Sequence, residues 1–281
     1  MTFQPLAGVR VVSLAINLPG PVAAARMAGF GATVTKVEPP SGDPLAALAP
    51  DLYRELAAGQ AVVTLDLKDP GDRDRLDSLL DQADVLLTSV RPSALDRLGL
   101  SDAAQRHDLV HVEIIGFGDE RRDEAGHDLT YQAAHGLLRP PAMPLAPVAD
   151  LLGGERAAAA ACAGVVARAR GGATALHYTV VLNDAARDAA LGVRHGITTP
   201  TGLLGGALPA YGIYATADGH IAVGALEPHF AARLDNLVGR TREELAAAFA
   251  AAGNDHWEAF GREHDIPIVA VLEPGARPAD D

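Results

Sequence analysis

The chain has 281 residues, 23 Lys and Arg against 36 Asp and Glu, a formal net charge of −13, and 48% apolar residues with few aromatics among them. That length accommodates one large α/β domain with a smaller companion, and a core of ordinary size built mainly from Ala, Leu and Val. The negative charge argues against nucleic acid or an anionic membrane as the main partner, while leaving room for an anionic ligand held at a local basic site.

Short valine-rich apolar runs at residues 9–14, 33–37, 61–67, 85–90 and 109–115 predict strands, and helical patterns at 22–28, 72–82 and 94–98 alternate with them. This rhythm implies an α/β fold, a mostly parallel, Rossmann-like sheet covered by helices on both faces, with ligands beyond the carboxyl ends of its strands. A dinucleotide-binding turn needs G-x-G-x-x-G, whereas the first turn reads Asn17-Leu18-Pro19-Gly20-Pro21. Two prolines there remove amide donors, so NAD is not expected although Glu38 ends the second strand. A long helix is predicted from about 151 to 170, stopped by Gly171-Gly172, and residues 176–182 read as another strand.

Residues 196–209 are rich in Gly, Thr and Pro without periodicity. The expected organisation is a large α/β domain over 1–195, a linker or active-site loop over 196–210, and a small α+β domain over 211–281. The small domain opens with a hairpin over 211–225, where Ala217-Asp218-Gly219 is expected to supply positive-φ turn positions, and helical patterns follow at 228–237, 242–252 and 255–263. No stretch is long and apolar enough to span a membrane, the first residues lack a signal-peptide pattern, and the single Cys162 has no internal partner. A cytoplasmic location follows as the expectation. Cys162 sits in an alanine run and reads as a packed side chain, not a nucleophile.

Three separate segments bring chemistry: Gly126-His127-Asp128, Asp150, and Glu227 within Leu226-Glu227-Pro228. A histidine, an aspartate and a glutamate can form one acid/base site in which two groups flank a carbon acid and the third orients one of them. Each has a plainer reading: Asp150 as a helix N-cap, His127 as a loop histidine, Glu227 as a solvated residue before proline. Asp128 is assigned the structural role of capping the helix expected over 129–138. His107 and His111 have no third ligand and HExxH is absent, so no metal site is expected.

The ordered words Leu6-Ala7-Gly8-Val9-Arg10-Val11-Val12, Pro19-Gly20-Pro21, Lys36-Val37-Glu38-Pro39-Pro40, Leu65-Asp66-Leu67-Lys68-Asp69-Pro70, Arg91-Pro92, Gly116-Phe117-Gly118, Gly126-His127-Asp128, Ala149-Asp150-Leu151, Tyr211-Gly212-Ile213-Tyr214 and Leu226-Glu227-Pro228 cover most of the chain. Together they resemble the family III CoA-transferase and α-methylacyl-CoA racemase superfamily. The histidine of the Gly-His-Asp word resembles the racemase branch, because the transferases usually carry an aromatic residue there. The resemblance implies an acyl-CoA or acyl-carrier thioester as substrate, with CoA as part of the substrate and no permanently bound cofactor. It implies His127 and Asp150 as the acid/base pair and Glu227 as the acceptor for the far nitrogen of His127. Backbone amides at the start of the helix after Asp150 would be the donors for an enolate oxygen.

Lys36, Lys68, Arg91, Arg121 and Arg122 fall in segments where the family contacts its nucleotide, although each reads equally well as a solvated charge. The resemblance also implies a homodimer, possibly interlocked. The chain departs from the family's pattern in three places: a segment returning to the large domain after the small one is largely missing, residues 139–147 look compressed, and Arg170-Gly171-Gly172-Ala173-Thr174 replaces a Gly-Arg-Gly-Gln word. The expectation is therefore a shortened, racemase-like acyl-CoA α-epimerase. The alternatives are a CoA-transferase with Asp150 as nucleophile, a repurposed thioester-enolate enzyme, and a non-catalytic acyl-CoA or acyl-carrier binding protein.

Overall fold

In the computed structural model, which describes residues 3–275, the valine-rich runs form strands β1 (Arg10–Ser13), β2 (Thr33–Glu38), β3 (Ala61–Thr64), β4 (Val85–Thr88), β5 (Val110–Ile115) and β6 (Leu176–Val181). All neighbours pair in parallel, in the order β3-β2-β1-β4-β5-β6. Successive residues point to opposite faces, and both faces are covered, which is why β1 and β4 carry consecutive apolar residues at Val11-Val12 and Val85-Leu86-Leu87. Val11, Val85, Leu87 and Val112 pack with Ala23, Met27, Ala157 and Ala161 on one side. Val12, Leu86 and Val37 pack with Leu76, Leu80, Leu95 and Leu100 on the other.

The helix Pro19–Gly29 begins with proline in its first turn, where a missing amide costs nothing. It packs against the long helix Val148–Ala169, and a Cβ on Gly154 would stand 2.7 Å from the Pro19 carbonyl oxygen, so only glycine permits the approach. The long helix ends as the glycine pair predicts: Gly171 has φ +75° and the Gly172 amide returns to the Ala167 carbonyl at 3.0 Å. Helices Pro44–Leu48 and Pro50–Leu56 were not anticipated, being too short to show a helical period.

The chain divides into two compact units, Met1–Ala189 and Ala190–Asp281. In the second, β7 (Tyr211–Ala215), β8 (His220–Gly224) and β9 (Ile268–Ala270) form an antiparallel sheet in that order. Helices Pro228–Leu237, Arg242–Phe249 and Asn254–His264 accompany it, around a core that includes Tyr214, Ile221, Leu245, Phe249 and Trp257. The hairpin is where it was expected, but its turn works differently. Neither Asp218 nor Gly219 is among the positive-φ residues. The Thr216 hydroxyl accepts the Gly219 amide at 3.0 Å, and Asp218 accepts the Asn254 amide at 2.8 Å, so side-chain acceptors close the turn. The six-stranded parallel sheet under helices, beside a small antiparallel sheet, is the expected fold class.

Candidate active site

Strand order reverses between β1 and β4, and the crevice that opens there lies past the carboxyl ends of the strands. The Ile16 amide donates to the Ser89 hydroxyl at 3.0 Å, tying the two diverging loops together. A cavity of about 230 Å³ lies here, lined by residues that follow β1 (Asn17), β4 (Arg91) and β5 (Gly116), and by His127, Tyr131 and Asp150. Asn17 adopts φ 67°, and its amide donates to Asp43 at 3.1 Å, which fixes the rim.

The same Asp43 explains Lys36. The lysine is 3% exposed, its Nζ lies 2.6 Å from Asp43 and 3.3 Å from Glu38, and Tyr53 donates to Glu38 at 2.7 Å. Burial, reinforced by Glu38, pushes the Tyr53 hydroxyl up to about 12, so it stays a donor. Lys36 is thus buried and neutralises two buried carboxylates under the rim.

His127 is the N-cap residue of the helix Asp128–Ala134, with extended backbone. Its amide donates to the Thr130 hydroxyl at 3.2 Å, which in turn donates to the His127 carbonyl at 2.7 Å. Asp128 therefore does not cap its own helix, contrary to expectation. Its buried carboxylate turns to the long helix instead, where Oδ1 accepts the Ala149 amide at 2.7 Å and the Asp150 amide at 3.1 Å. Asp150 lies inside the first turn of that helix, so it is not the N-cap. Burial first, and the Asp128 charge second, raise its carboxyl from 3.8 to about 7. The first-turn amides expected to receive an enolate oxygen are already held by Asp128.

Sequence reasoning passed over Tyr131, which is 1% exposed and stands edge-on to Phe117 with ring centroids 5.2 Å apart. A Cβ on Gly126 would meet the Tyr131 ring and hydroxyl at 2.6 Å, and one on Gly116 would meet the hydroxyl at 2.3 Å. The two glycine words were the signal, since glycine next to a site marks a close approach. Burial, then Asp150 and Asp128, push the Tyr131 hydroxyl up to about 12. Arg122 also lines the cavity, anchored by Glu113 at 2.7 Å. Burial alone would raise Glu113, but His177 and Arg122 outweigh it and hold the carboxyl below its usual range. His111, stacked on His177 at 4.6 Å, is lowered by burial to about 4 and stays neutral.

The other predicted cations separate. Arg91 lines the first cavity and makes no ion pair among the described residues. Lys68 is exposed at a second cavity of about 210 Å³, whose walls include Leu14, Leu65, Leu95 and Leu100 and which shares Ile16 and Val90 with the first. Arg121 pairs with Glu124 at 2.7 Å and lies over the Phe117 ring, 3.9 Å from its centroid. Glu227 is exposed at the N-cap position of Pro228–Leu237, in the second unit. Within the first unit the fold thus brings together His127, Asp150, Arg91 and Arg122. No group of three His, Cys, Asp or Glu able to hold a metal occurs among the described residues, and no helix there is long and apolar enough to cross a membrane.

The model of CoA-transferase family III matches residues 6–277. A CaiB/baiF CoA-transferase family protein from Caenorhabditis elegans is 28% identical over 96% of this chain and 87% of its own length. Human alpha-methylacyl-CoA racemase is 32% identical over 85% of this chain and 66% of its own length. Among solved structures, a hypothetical protein from Mycobacterium tuberculosis superposes with a TM-score of 0.78 at 23% identity, covering 99% of this chain and 94% of that one.

Proposed function

The chain belongs to CoA-transferase family III, and from that premise we propose that it removes and returns the α-proton of an acyl-CoA or similar thioester, most simply as a 2-methylacyl-CoA epimerase. The observation that carries this reading is the meeting of His127 and Asp150 in one cavity, with Asp150 raised to about 7. A thioester carbonyl acidifies the neighbouring C–H, and inversion needs a base on one face and an acid on the other. A neutral imidazole and a protonated carboxyl meet that need in one direction, and an imidazolium with a carboxylate meets it in the reverse. An ordinary surface aspartate would be ionised near neutrality and could not serve as the acid.

CoA fits as part of the substrate. Arg91, which makes no ion pair among the described residues although its charge acts on Asp123, and Lys68 at the second cavity are the cations assigned to its phosphates. The two cavities share the Ile16 and Val90 walls, so a long thioester can lie across both.

Incubation with a 2-methylacyl-CoA in deuterium oxide tests the reading. Deuterium at the α-carbon is expected, and it should vanish in His127→Ala and Asp150→Ala while CoA affinity holds. CoA exchange with a free carboxylate and no α-deuterium would show instead a transferase with Asp150 as nucleophile. Binding with neither reaction would leave a thioester-binding protein.

A further inference from the structure

We propose that Asp128 is a positioning residue for the proton-transfer pair: its carboxylate locks the segment that carries His127 onto the first turn of the helix that carries Asp150. This rests on the reading of His127 and Asp150 as the proton carriers. Asp128 follows His127 directly in sequence, and its Oδ1 holds the amides of Ala149 and of Asp150 itself, at 2.7 and 3.1 Å. Its other oxygen accepts from the Gln132 side chain, whose amide nitrogen also reaches the Ala146 carbonyl at 2.9 Å, so the carboxylate is fixed from both sides. Asp128 is 9% exposed and has no ion-pair partner among the described residues. Amide donors alone balance its charge.

Two consequences follow for the chemistry. The side chains that straddle one carbon must keep a fixed reach, and a misplacement of about 1 Å costs on the order of a hundredfold in rate. The second consequence concerns charge. A helix N-terminus normally stabilises a carboxylate in its first turn. Here Asp128 occupies the first-turn amides as an anion, so Asp150 stands at the helix start without gaining their hydrogen bonds and faces a fixed negative charge. This agrees with Asp150 being raised by burial and then by Asp128. The other titratable groups lining the cavity are His127, Tyr131, Arg91, Arg122 and Glu124.

Asp128→Asn and Asp128→Ala separate the two parts, because asparagine keeps an oxygen for the amides and drops the charge. The Asp150 carboxyl is followed by ¹³C NMR against pH, its signal identified by its loss in Asp150→Asn. α-Deuterium exchange of a 2-methylacyl-CoA and CoA affinity are measured alongside. In Asp128→Asn, Asp150 should titrate at a pH lower by about 0.5 or more, with the alkaline limb of exchange moving the same way. In Asp128→Ala, exchange should fall about a hundredfold while CoA affinity stays within about twofold. An unmoved Asp150 titration in Asp128→Asn, or exchange in Asp128→Ala within about threefold of the parent, overturns the proposal. If the parent protein exchanges no α-hydrogen, the epimerase reading fails, while the Asp150 titration still decides the role of Asp128.

Discussion

Replacing the proposed acid should make the protein more stable, and the gain should depend on pH in a way the structure dictates. Asp150 titrates near 3.8 when unfolded and at about 7 in the fold. Its folded form therefore binds the proton more tightly, so the ionised carboxylate opposes folding. Below the unfolded value both states are protonated and the penalty is absent; it grows between the two values and is complete above the folded one. Each pH unit in that window is worth about 1.4 kcal/mol. The destabilisation is thus roughly 0.5 kcal/mol at about pH 4 and roughly 4 kcal/mol at about pH 8. Asparagine has nearly the same shape and never ionises, so Asp150→Asn should recover this difference. Urea unfolding of both proteins at the two pH values reads it directly, with the variant's advantage widening by about 2 kcal/mol or more as pH rises. An advantage that is flat with pH, or a variant less stable at the higher pH, would refute the assigned environment of Asp150 whatever its effect on catalysis.

Three further outcomes are expected. Gly126→Ala should lose about 1–3 kcal/mol by urea unfolding, because the new methyl meets a Tyr131 ring that Phe117 holds in place; a loss below about 0.5 kcal/mol would mean that the ring moves aside freely. Lys36→Met should cost about 3–5 kcal/mol by leaving Glu38 and Asp43 buried without their cation, while CoA affinity of the folded variant stays unchanged; a selective loss of CoA affinity would return Lys36 to the nucleotide site. Arg91→Ala should weaken CoA roughly tenfold in calorimetry, with a shallower salt dependence than the parent, and unchanged affinity would remove Arg91 from the phosphate site.

The sheet was legible because its inner strands are covered on both sides, so the run at 85–88 is apolar toward both faces and only the buried His111 and Glu113 interrupt the run at 110–115. The long helix was legible from its composition and its glycine stop. Helices of five and seven residues beginning at Pro44 and Pro50 were not, since neither shows a full period. At the site, the Gly-His-Asp word pointed to His127, and the resemblance pointed to Asp150. The task of Asp128 was hidden because its partners are amides 21 and 22 residues away, and a backbone donor carries no sequence signal. The burial of Lys36 was hidden for a different reason. The lysine stands between Thr35 and Val37 on β2, where a lysine two residues before a glutamate reads as a solvated charge, and only the fold seats it between Glu38 and Asp43.

Asp150 and Asp128 meet at the start of one helix in different roles, and the geometry of that helix start separates them. A helix start offers a limited set of free amides, and a carboxylate that accepts two of them is favoured as an anion. Asp128 reaches those amides from outside the helix, whereas Asp150 projects from the turn itself and obtains none of them. With burial first and the Asp128 charge second disfavouring its ionisation, the Asp150 carboxyl is raised to about 7. The proposed acid therefore needs no special residue type, only burial together with a neighbour that occupies the helix terminus first. His127 directly precedes Asp128 in the chain and lines the same cavity as Asp150, so in the proposed reading a single residue step joins the imidazole to the carboxylate that anchors the helix of Asp150.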